Sequence, residues 1–358
     1  MRQKHGPFAI ENLELDDPRP DEVLVRIEGA GMCHTDLHAR DQYRPFPLPA
    51  VFGHEGAGFV EKIGSLITKV RPRDKVVLVF PSCGQCASCR IGKPAYCLEA
   101  NKLKHGGVRS DGSTTMRRGG ETVYGCFFGQ SSFATYAVAN ERNTIKVRTD
   151  TPAATLAALC CGMQTGAGAI LNTLAVKPGG TLAVFGVGSV GLSAVMAARI
   201  AGCLKIIAVD IKENRLNLAR ELGATDAIDS SEADCVEQIR KITGGGADYT
   251  VDTSAVPEIF RAAVESLRPL GVCGLIGTAP PGTEVRLTMS TIQGGRTVRG
   301  VIQGDSVPDI FIQQLIDFHE QGRFPFDRLI TFYPLAEINR AAVDAVKGST
   351  IKPVMRPA

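Results

Sequence analysis

Thr181-Leu182-Ala183-Val184-Phe185 is an apolar run that ends in Gly186-Val187-Gly188-Ser189-Val190-Gly191, and a second apolar stretch runs from Ser189 to Ala201. A buried strand that breaks at G-x-G-x-x-G and re-forms as a helix constrains this chain more than any other feature. The first glycine of such a turn permits the tight bend, and the second lets the backbone approach a pyrophosphate. The third lets helix and strand pack closely. The helix N-terminus then faces the negative charge of the phosphates. Lys205 to Asp210 reads as the next strand, and Asp210 closes it 19 residues after Gly191. A carboxylate there accepts hydrogen bonds from an adenosine ribose and repels an added phosphate, so the unit favours NAD over NADP. Gly186, Val187, Gly188, Ser189, Val190, Gly191 and Asp210 are therefore candidate cofactor-binding residues. An isolated G-x-G-x-x-G is a weak signal and an isolated strand-end Asp is more often solvated. The strand, turn, helix, strand and acid in sequence carry the reading.

The pattern around this unit extends it. Glu213 to Leu222 reads as a helix, Ala247 to Thr253 as a strand, about Pro257 to Leu267 as a helix and Val272 to Gly277 as a strand. Alternating strands and helices with apolar strands imply a doubly wound parallel sheet. Before about Gly162 the rhythm differs. Val23 to Ile27, Gly58 to Ile63 and Lys75 to Val79 are short strand-like runs among Gly and Pro breaks such as Arg71-Pro72-Arg73-Asp74. They suggest a mainly β, barrel-like unit whose loops carry function. A helix near Ile310 to Glu320, then Leu329-Ile330-Thr331 and Ile351-Lys352-Pro353-Val354, form a tail expected to return to the first unit. The expected domains are 1–161, 162–301 and a return segment 302–358 that completes the first.

Eleven cysteines are too clustered, and odd in number, for a disulfide framework; they point to metal or redox chemistry. Cys83, Cys86, Cys89 and Cys97 form C-x2-C-x2-C-x7-C. Four thiolates at this density suit a closed, tetrahedral structural zinc site, with an iron–sulfur site left open by spacing alone. Cys33, His54-Glu55 and Cys161 are dispersed. Two thiolates and an imidazole leave a zinc position open for water or substrate, but spacing cannot join residues so far apart.

The segments Gly31-Met32-Cys33-His34-Thr35-Asp36, Gly53-His54-Glu55-Gly56-Ala57-Gly58, the four-cysteine run, Cys161-Gly162-Met163-Gln164-Thr165-Gly166 and the Gly186 to Gly191 turn occur in that order. Together they resemble the zinc-dependent medium-chain alcohol dehydrogenases over nearly the full length. The resemblance implies a GroES-like catalytic domain with a Rossmann domain, NAD and two zinc ions per chain. It implies Cys33, His54 and Cys161 as ligands of a catalytic zinc, Cys161 rather than Cys160 fitting Cys-Gly-x-x-Thr-Gly. Glu55 resembles a nearby acid or transient ligand, and Asp36 the acid that orients the histidine. Thr35 resembles a hydroxyl relay and His38 the outer base, roles that carry away the alcohol's proton. His34, Arg215 and Lys352 match basic positions for the cofactor's phosphates and adenosine side, Thr165 a residue against the nicotinamide, and Phe80 a wall of the substrate pocket. Taken alone, Thr35 is more often a turn hydroxyl, each charge a solvated one, and Phe80 a core residue.

Within the family the stretch Met163 to Ala169 resembles the aryl-alcohol (benzyl alcohol) group, which implies primary aromatic or allylic alcohols and an apolar pocket. Alternatives are aliphatic alcohols, monoterpene alcohols such as geraniol or perillyl alcohol, and a glutathione adduct of formaldehyde. Polyol enzymes often exchange the third ligand for Glu and lose the cysteine run; this chain keeps both. A zinc-free NADPH-binding homologue would lack Cys33 and Cys161. The long stretch from Cys97 to Phe133 resembles the dimeric branch. A homodimer joined through strands near Val298 to Gln303 is expected, with a tetramer as the alternative.

Composition removes other classes. The net charge of +3 across 358 residues is too mild for a nucleic-acid surface, and Arg90-Ile91-Gly92-Lys93-Pro94 has few basic residues and no interleaved aromatics. No run of 18 apolar residues occurs, and Met1 to Pro7 has no apolar signal core, so no membrane partner and a cytoplasmic location are expected.

Overall fold

The computed structural model describes residues 1–232 and 234–357. The chain divides into two compact units. Met1–Cys161, Val307–Asp317 and Phe326–Ala358 form the first, and Gly162–Ser306 with Phe318–Pro325 the second. The expected return segment 302–358 is thus split: 302–306 and Phe318–Pro325 group with the second unit.

In the second unit six strands form one sheet in the order Asp226–Asp229, Lys205–Asp210, Thr181–Phe185, Ala247–Asp252, Leu267–Leu275, Thr297–Gly300. Every pairing is parallel. Strand order therefore reverses at Thr181–Phe185, and open parallel sheets bind ligands beyond the carboxyl ends of their strands at such a point. Gly186 follows that end directly. The central strands Thr181–Phe185 and Lys205–Asp210 are largely apolar because helices cover them; Phe185, Ile207, Val209, Ile239, Val264 and Leu267 lie in one core cluster. The helix Ser189–Ile200 buries eight of its residues, from Gly191 to Ala198, as a helix set against such a sheet must.

In the first unit a mixed sheet runs Ile330–Pro334, Lys352–Arg356, Glu22–Gly31, Gly56–Ile63, Lys75–Leu78, Thr144–Lys146, with Tyr136–Asn140 also paired to Glu22–Gly31. Glu22–Gly31 is its hub. It alternates Val23, Val25 and Ile27 inward and shows register shifts opposite Gly56–Ile63, which bend and twist the pair. A small sheet of Glu14–Leu15, Met116–Arg118 and Glu121–Val123 lies in the same unit. Arg109 fastens this region: its Nε donates to Glu22 Oε1 at 2.7 Å and its Nη1 to Asp16 Oδ2 at 2.8 Å. No single described helix is long and apolar enough to cross a membrane.

Candidate metal centres and cofactor cradle

The strand Glu22–Gly31 delivers Cys33 to the start of the helix His34–Arg40, and the loop before Gly56–Ile63 carries His54 and Glu55. Asp36, fully buried, ties these segments together. Its Oδ2 accepts the Cys33 N–H at 3.0 Å, and its Oδ1 accepts the Gly53 N–H at 3.2 Å and the His54 Nδ1–H at 2.9 Å. The carboxylate thereby fixes the ring so that Nε2 presents its lone pair, as an oriented metal-ligating histidine requires. Nε2 is buried without a hydrogen-bond partner. One donor atom each from Cys33, His54, Glu55 and Cys161 lies within 4.8 Å of the others. A tetrahedral ion with bonds of about 2.0–2.3 Å holds its ligand atoms roughly 3.3–3.8 Å apart.

The electrostatics favour a cation at this point. Burial alone lowers the pKa of His54, but Asp36 and the Cys33 sulfur overcome it and lift it to about 10. A proton on Nε2 and a metal ion there are competitors for the same field. The Cys161 thiol donates to the Cys33 sulfur, which with His54 holds Cys33 well below the usual thiol range against the opposing effect of burial. Burial raises the Glu55 carboxyl to about 7, against the opposing pull of Lys352. An orphaned imidazole nitrogen, a thiolate and a second thiol on one centre fit zinc.

Lys352, expected among the basic groups for the cofactor's phosphates and adenosine side, is buried beside the candidate zinc ligands. It is 1 % exposed, its Nζ pairs with Glu55 Oε2 and it lies 3.4 Å from the Met32 carbonyl. Gly31 makes room for this pair, since a Cβ there would sit 2.1 Å from Glu55 Oε2. Thr35 Oγ1 lies 3.7 Å from the Cys33 sulfur. His34 is exposed and His38 half-buried on the same helix. Burial first, then the charge of His34, lowers the pKa of His38 below 6.5.

An aromatic layer covers the other side of His54. Phe128 lies tilted over the imidazole at 4.6 Å between centroids, and Phe127 meets it edge-on at 5.8 Å. His105 meets Phe128 at 5.4 Å. Phe80 is 4 % exposed and faces Lys104, whose Nζ is 5.7 Å from its ring centroid. Sequence reasoning singled out Phe80 but missed Phe127, Phe128, Lys104 and His105. The adjacent Phe127-Phe128 pair between Cys126 and Gly129 was the one available signal, and it gives no direction to the rings.

The sulfurs of Cys83, Cys86, Cys89 and Cys97 also lie within 4.8 Å of one another. Backbone N–H groups already point at them: Cys83 N to Cys97 Sγ at 3.2 Å, Cys86 N to Cys83 Sγ at 3.3 Å and Leu98 N to Cys86 Sγ at 3.4 Å. Those donors from Leu98 and Cys89 bring the Cys86 thiol down to about 6, while burial pushes Cys89 up to about 12. A set of four sulfurs with amides supporting the thiolate form, and no carboxylate or imidazole, suits a closed structural site.

In the second unit Gly186 has φ +83°, a left-handed conformation that favours glycine. A Cβ on Gly191 would lie 2.0 Å from the Gly186 carbonyl oxygen. At Gly188 a Cβ would meet only Arg215 Nη1 at 4.0 Å, so packing does not explain that glycine and a phosphate has room there. Asp210, expected as an acid facing a ribose, is 8 % exposed and partly committed. Its Oδ2 accepts the Val187 N–H at 2.8 Å, and its Oδ1 accepts the Ile211 and Lys212 N–H groups at 2.8 and 3.1 Å. It therefore also shapes the turn, and its remaining lone pairs are what a ribose would meet. Arg215 Nη1 stands 3.7 Å from Asp210 Oδ2, and its Nε is buried without a partner. Thr165, on Gly162–Gly168, is 8 % exposed and its Oγ1 lies 3.4 Å from Gln303 Oε1.

Comparison with known proteins agrees with this arrangement. Residues 19–149 match the alcohol dehydrogenase GroES-like domain and residues 189–321 the zinc-binding dehydrogenase family. A geraniol dehydrogenase from Castellaniella defragrans is 45 % identical over 99 % of this chain and 96 % of its own length. The crystal structure of an alcohol dehydrogenase zinc-binding domain protein from Burkholderia ambifaria is 51 % identical, covering 99 % of this chain and 96 % of that one, with a TM-score of 0.98. That of the benzyl alcohol dehydrogenase from Acinetobacter calcoaceticus is 44 % identical, covering 100 % and 98 %, with a TM-score of 0.97. With a GroES-like unit, a Rossmann-like unit and a zinc-fitting centre in one chain, the protein belongs to the zinc-binding medium-chain alcohol dehydrogenases.

Proposed function

We propose that the protein catalyses the NAD-linked, reversible oxidation of primary aryl or allylic alcohols to aldehydes. The observation that carries this reading is the buried, unpartnered His54 Nε2 set among the Cys33 and Cys161 sulfurs with an aromatic layer against it. Geraniol is an allylic and benzyl alcohol an arylic primary alcohol, and proteins named for both are similar to this chain.

Cys33, His54 and Cys161 would hold the catalytic zinc, and Cys83, Cys86, Cys89 and Cys97 a structural one. Zinc, when bound, supplies Lewis acidity that eases removal of a hydroxyl proton. NAD, when bound, accepts the hydride, and the protein supplies its position. Asp36 keeps the His54 lone pair directed at the centre. Thr35, beside Cys33, would take the alcohol's proton by hydrogen bond, and His38 would receive it in turn. Lowering of the His38 pKa by burial keeps its imidazole neutral at pH 7, the form that accepts a proton. Phe80 and Phe128, backed by the fully buried Phe127, would supply apolar surface for a flat carbon skeleton and keep water from the reacting carbon. The turn from Gly186 to Gly191, with Arg215 beside Gly188, would seat the pyrophosphate; Asp210 would meet the ribose and disfavour NADP. Lys352 and Glu55 neutralise one another beside the zinc ligands.

A screen of NADH formation over benzyl, cinnamyl, geraniol, perillyl and short aliphatic alcohols tests the reading. The reading predicts higher kcat/KM for the aromatic and allylic members. Equal or higher values for ethanol and butanol count against it.

The reading includes a homodimer. Thr297–Gly300 is an edge strand whose four residues are all exposed, beside the exposed Met289 and Leu270. An exposed edge strand flanked by exposed apolar side chains offers a pairing surface for a second copy. Light scattering on the purified protein checks this: a dimer mass is expected, and a tetramer mass contradicts it.

A further inference from the structure

Lys104 sits on the short helix Ala100–His105, which follows Cys97 of the cysteine lobe and packs against Phe127–Gly129. Its ammonium stands 5.7 Å from the Phe80 ring centroid and 5.6 Å from that of Phe128. Phe128 in turn lies over His54 at 4.6 Å. One aromatic ring therefore separates a candidate zinc ligand from a lysine head group. Aromatic faces attract an ammonium, but they accept none of its three N–H groups in full hydrogen bonds. Among the described residues Lys104 has no hydrogen-bond or ion-pair partner, although it is only partly exposed. Burial lowers its pKa, opposed by the nearby Cys161 and Cys97 sulfurs and reinforced by Arg44. A cation held in an aromatic frame with its donors unmet costs stability unless a ligand or water meets them. Aromatic walls alone would serve a purely hydrocarbon substrate.

We infer that Lys104 is a specificity residue of the alcohol pocket, whose ammonium receives a carboxylate or other hydrogen-bond acceptor carried by the substrate away from its carbinol carbon. The inference rests on the placement of the alcohol beside Cys33, His54 and Cys161. It narrows the substrate class from aryl or allylic alcohols to those with an acceptor at the far end. The reaction is unchanged: the carbinol loses a proton and a hydride, NAD takes the hydride, and the acceptor group takes no part in bond making. Lys104 acts on binding, so its effect falls on KM more than on kcat.

The test uses the zinc-loaded enzyme with NAD and compares 4-(hydroxymethyl)benzoate with 4-isopropylbenzyl alcohol, a flat neutral substrate of similar size. The readout is the ratio of their kcat/KM values in the wild type, Lys104→Met and Lys104→Arg. A charge-assisted hydrogen bond predicts a fall in that ratio of about ten- to a hundred-fold in Lys104→Met, carried by KM, with Lys104→Arg restoring much of it. A ratio that Lys104→Met leaves unchanged overturns the inference, including the case in which both substrates slow equally because the pocket has shifted. A wild type that rejects the carboxylate substrate while turning over the isopropyl one overturns it too. If the aryl reading itself fails, benzyl alcohol is not turned over. The pair 6-hydroxyhexanoate and hexan-1-ol then carries the same ratio with the same two outcomes.

Discussion

Single residues in the cofactor turn separate folding from binding. Gly191 is required by packing, since a Cβ there meets the Gly186 carbonyl oxygen at 2.0 Å, closer than non-bonded atoms approach. Gly188 has open space beyond it and only Arg215 nearby. Gly191→Ala is therefore expected to lower Tm by several degrees, the effect of about 1–3 kcal/mol of overpacking. Gly188→Ala leaves Tm near that of the parent and weakens NAD binding, read as Kd by fluorescence titration. Equal losses of Tm in both variants contradict the assignment of Gly188 to the ligand. The motif was legible in the sequence because glycine's roles are local. Asp210 was legible only in part. Its position at a strand end showed, but its bonds to the Val187, Ile211 and Lys212 amides depend on backbone direction. Only family resemblance singled out Lys352; its burial and its pairing with Glu55 come from the fold and could not be read from the sequence.

At the scale of elements, one short helix concentrates the chemistry. His34–Arg40 carries Thr35, Asp36 and His38 directly after Cys33, so the hydroxyl and imidazole proposed for the proton relay keep fixed spacing from the carboxylate that orients His54. Protonation of His38 removes its ability to accept a proton, and its pKa lies below 6.5. The acid limb of kcat/KM against pH is thus expected below pH 6.5. His38→Gln removes that limb and slows turnover by about a hundred-fold. A variant that keeps both the limb and the rate excludes His38 from the relay. The parallel-sheet strands were readable because burial on both faces makes them continuously apolar: Lys205–Asp210 and the helix Glu213–Leu222 fall where the pattern puts them. Asp226–Asp229 and Cys235–Thr243 were not read. The first is four residues with acids at both ends, and the second is short and largely charged on its outer face. Gly162–Gly168 was also missed as a helix, because three glycines in seven residues lower its intrinsic helix propensity.

Across the whole molecule, long-range assembly decides what the sequence could not show. The four-cysteine centre is local, and its spacing alone indicated a metal. The other centre gathers Cys33, His54 and Cys161 from separate segments of one unit, so only resemblance to a family joined them in advance. The aromatic layer of Phe127 and Phe128 against His54 depends on the same assembly and was invisible. These three residues would hold one zinc, distinct from the one that the cysteine lobe would hold. Metal analysis of the purified protein and of Cys161→Ser, scored beside turnover, tests it most directly. The account predicts two zinc ions per chain in the parent, one for each donor cluster. It predicts a single retained zinc and lost turnover in Cys161→Ser, whose cysteine lobe is untouched. A Cys161→Ser protein that keeps two zinc ions and parental activity would contradict it.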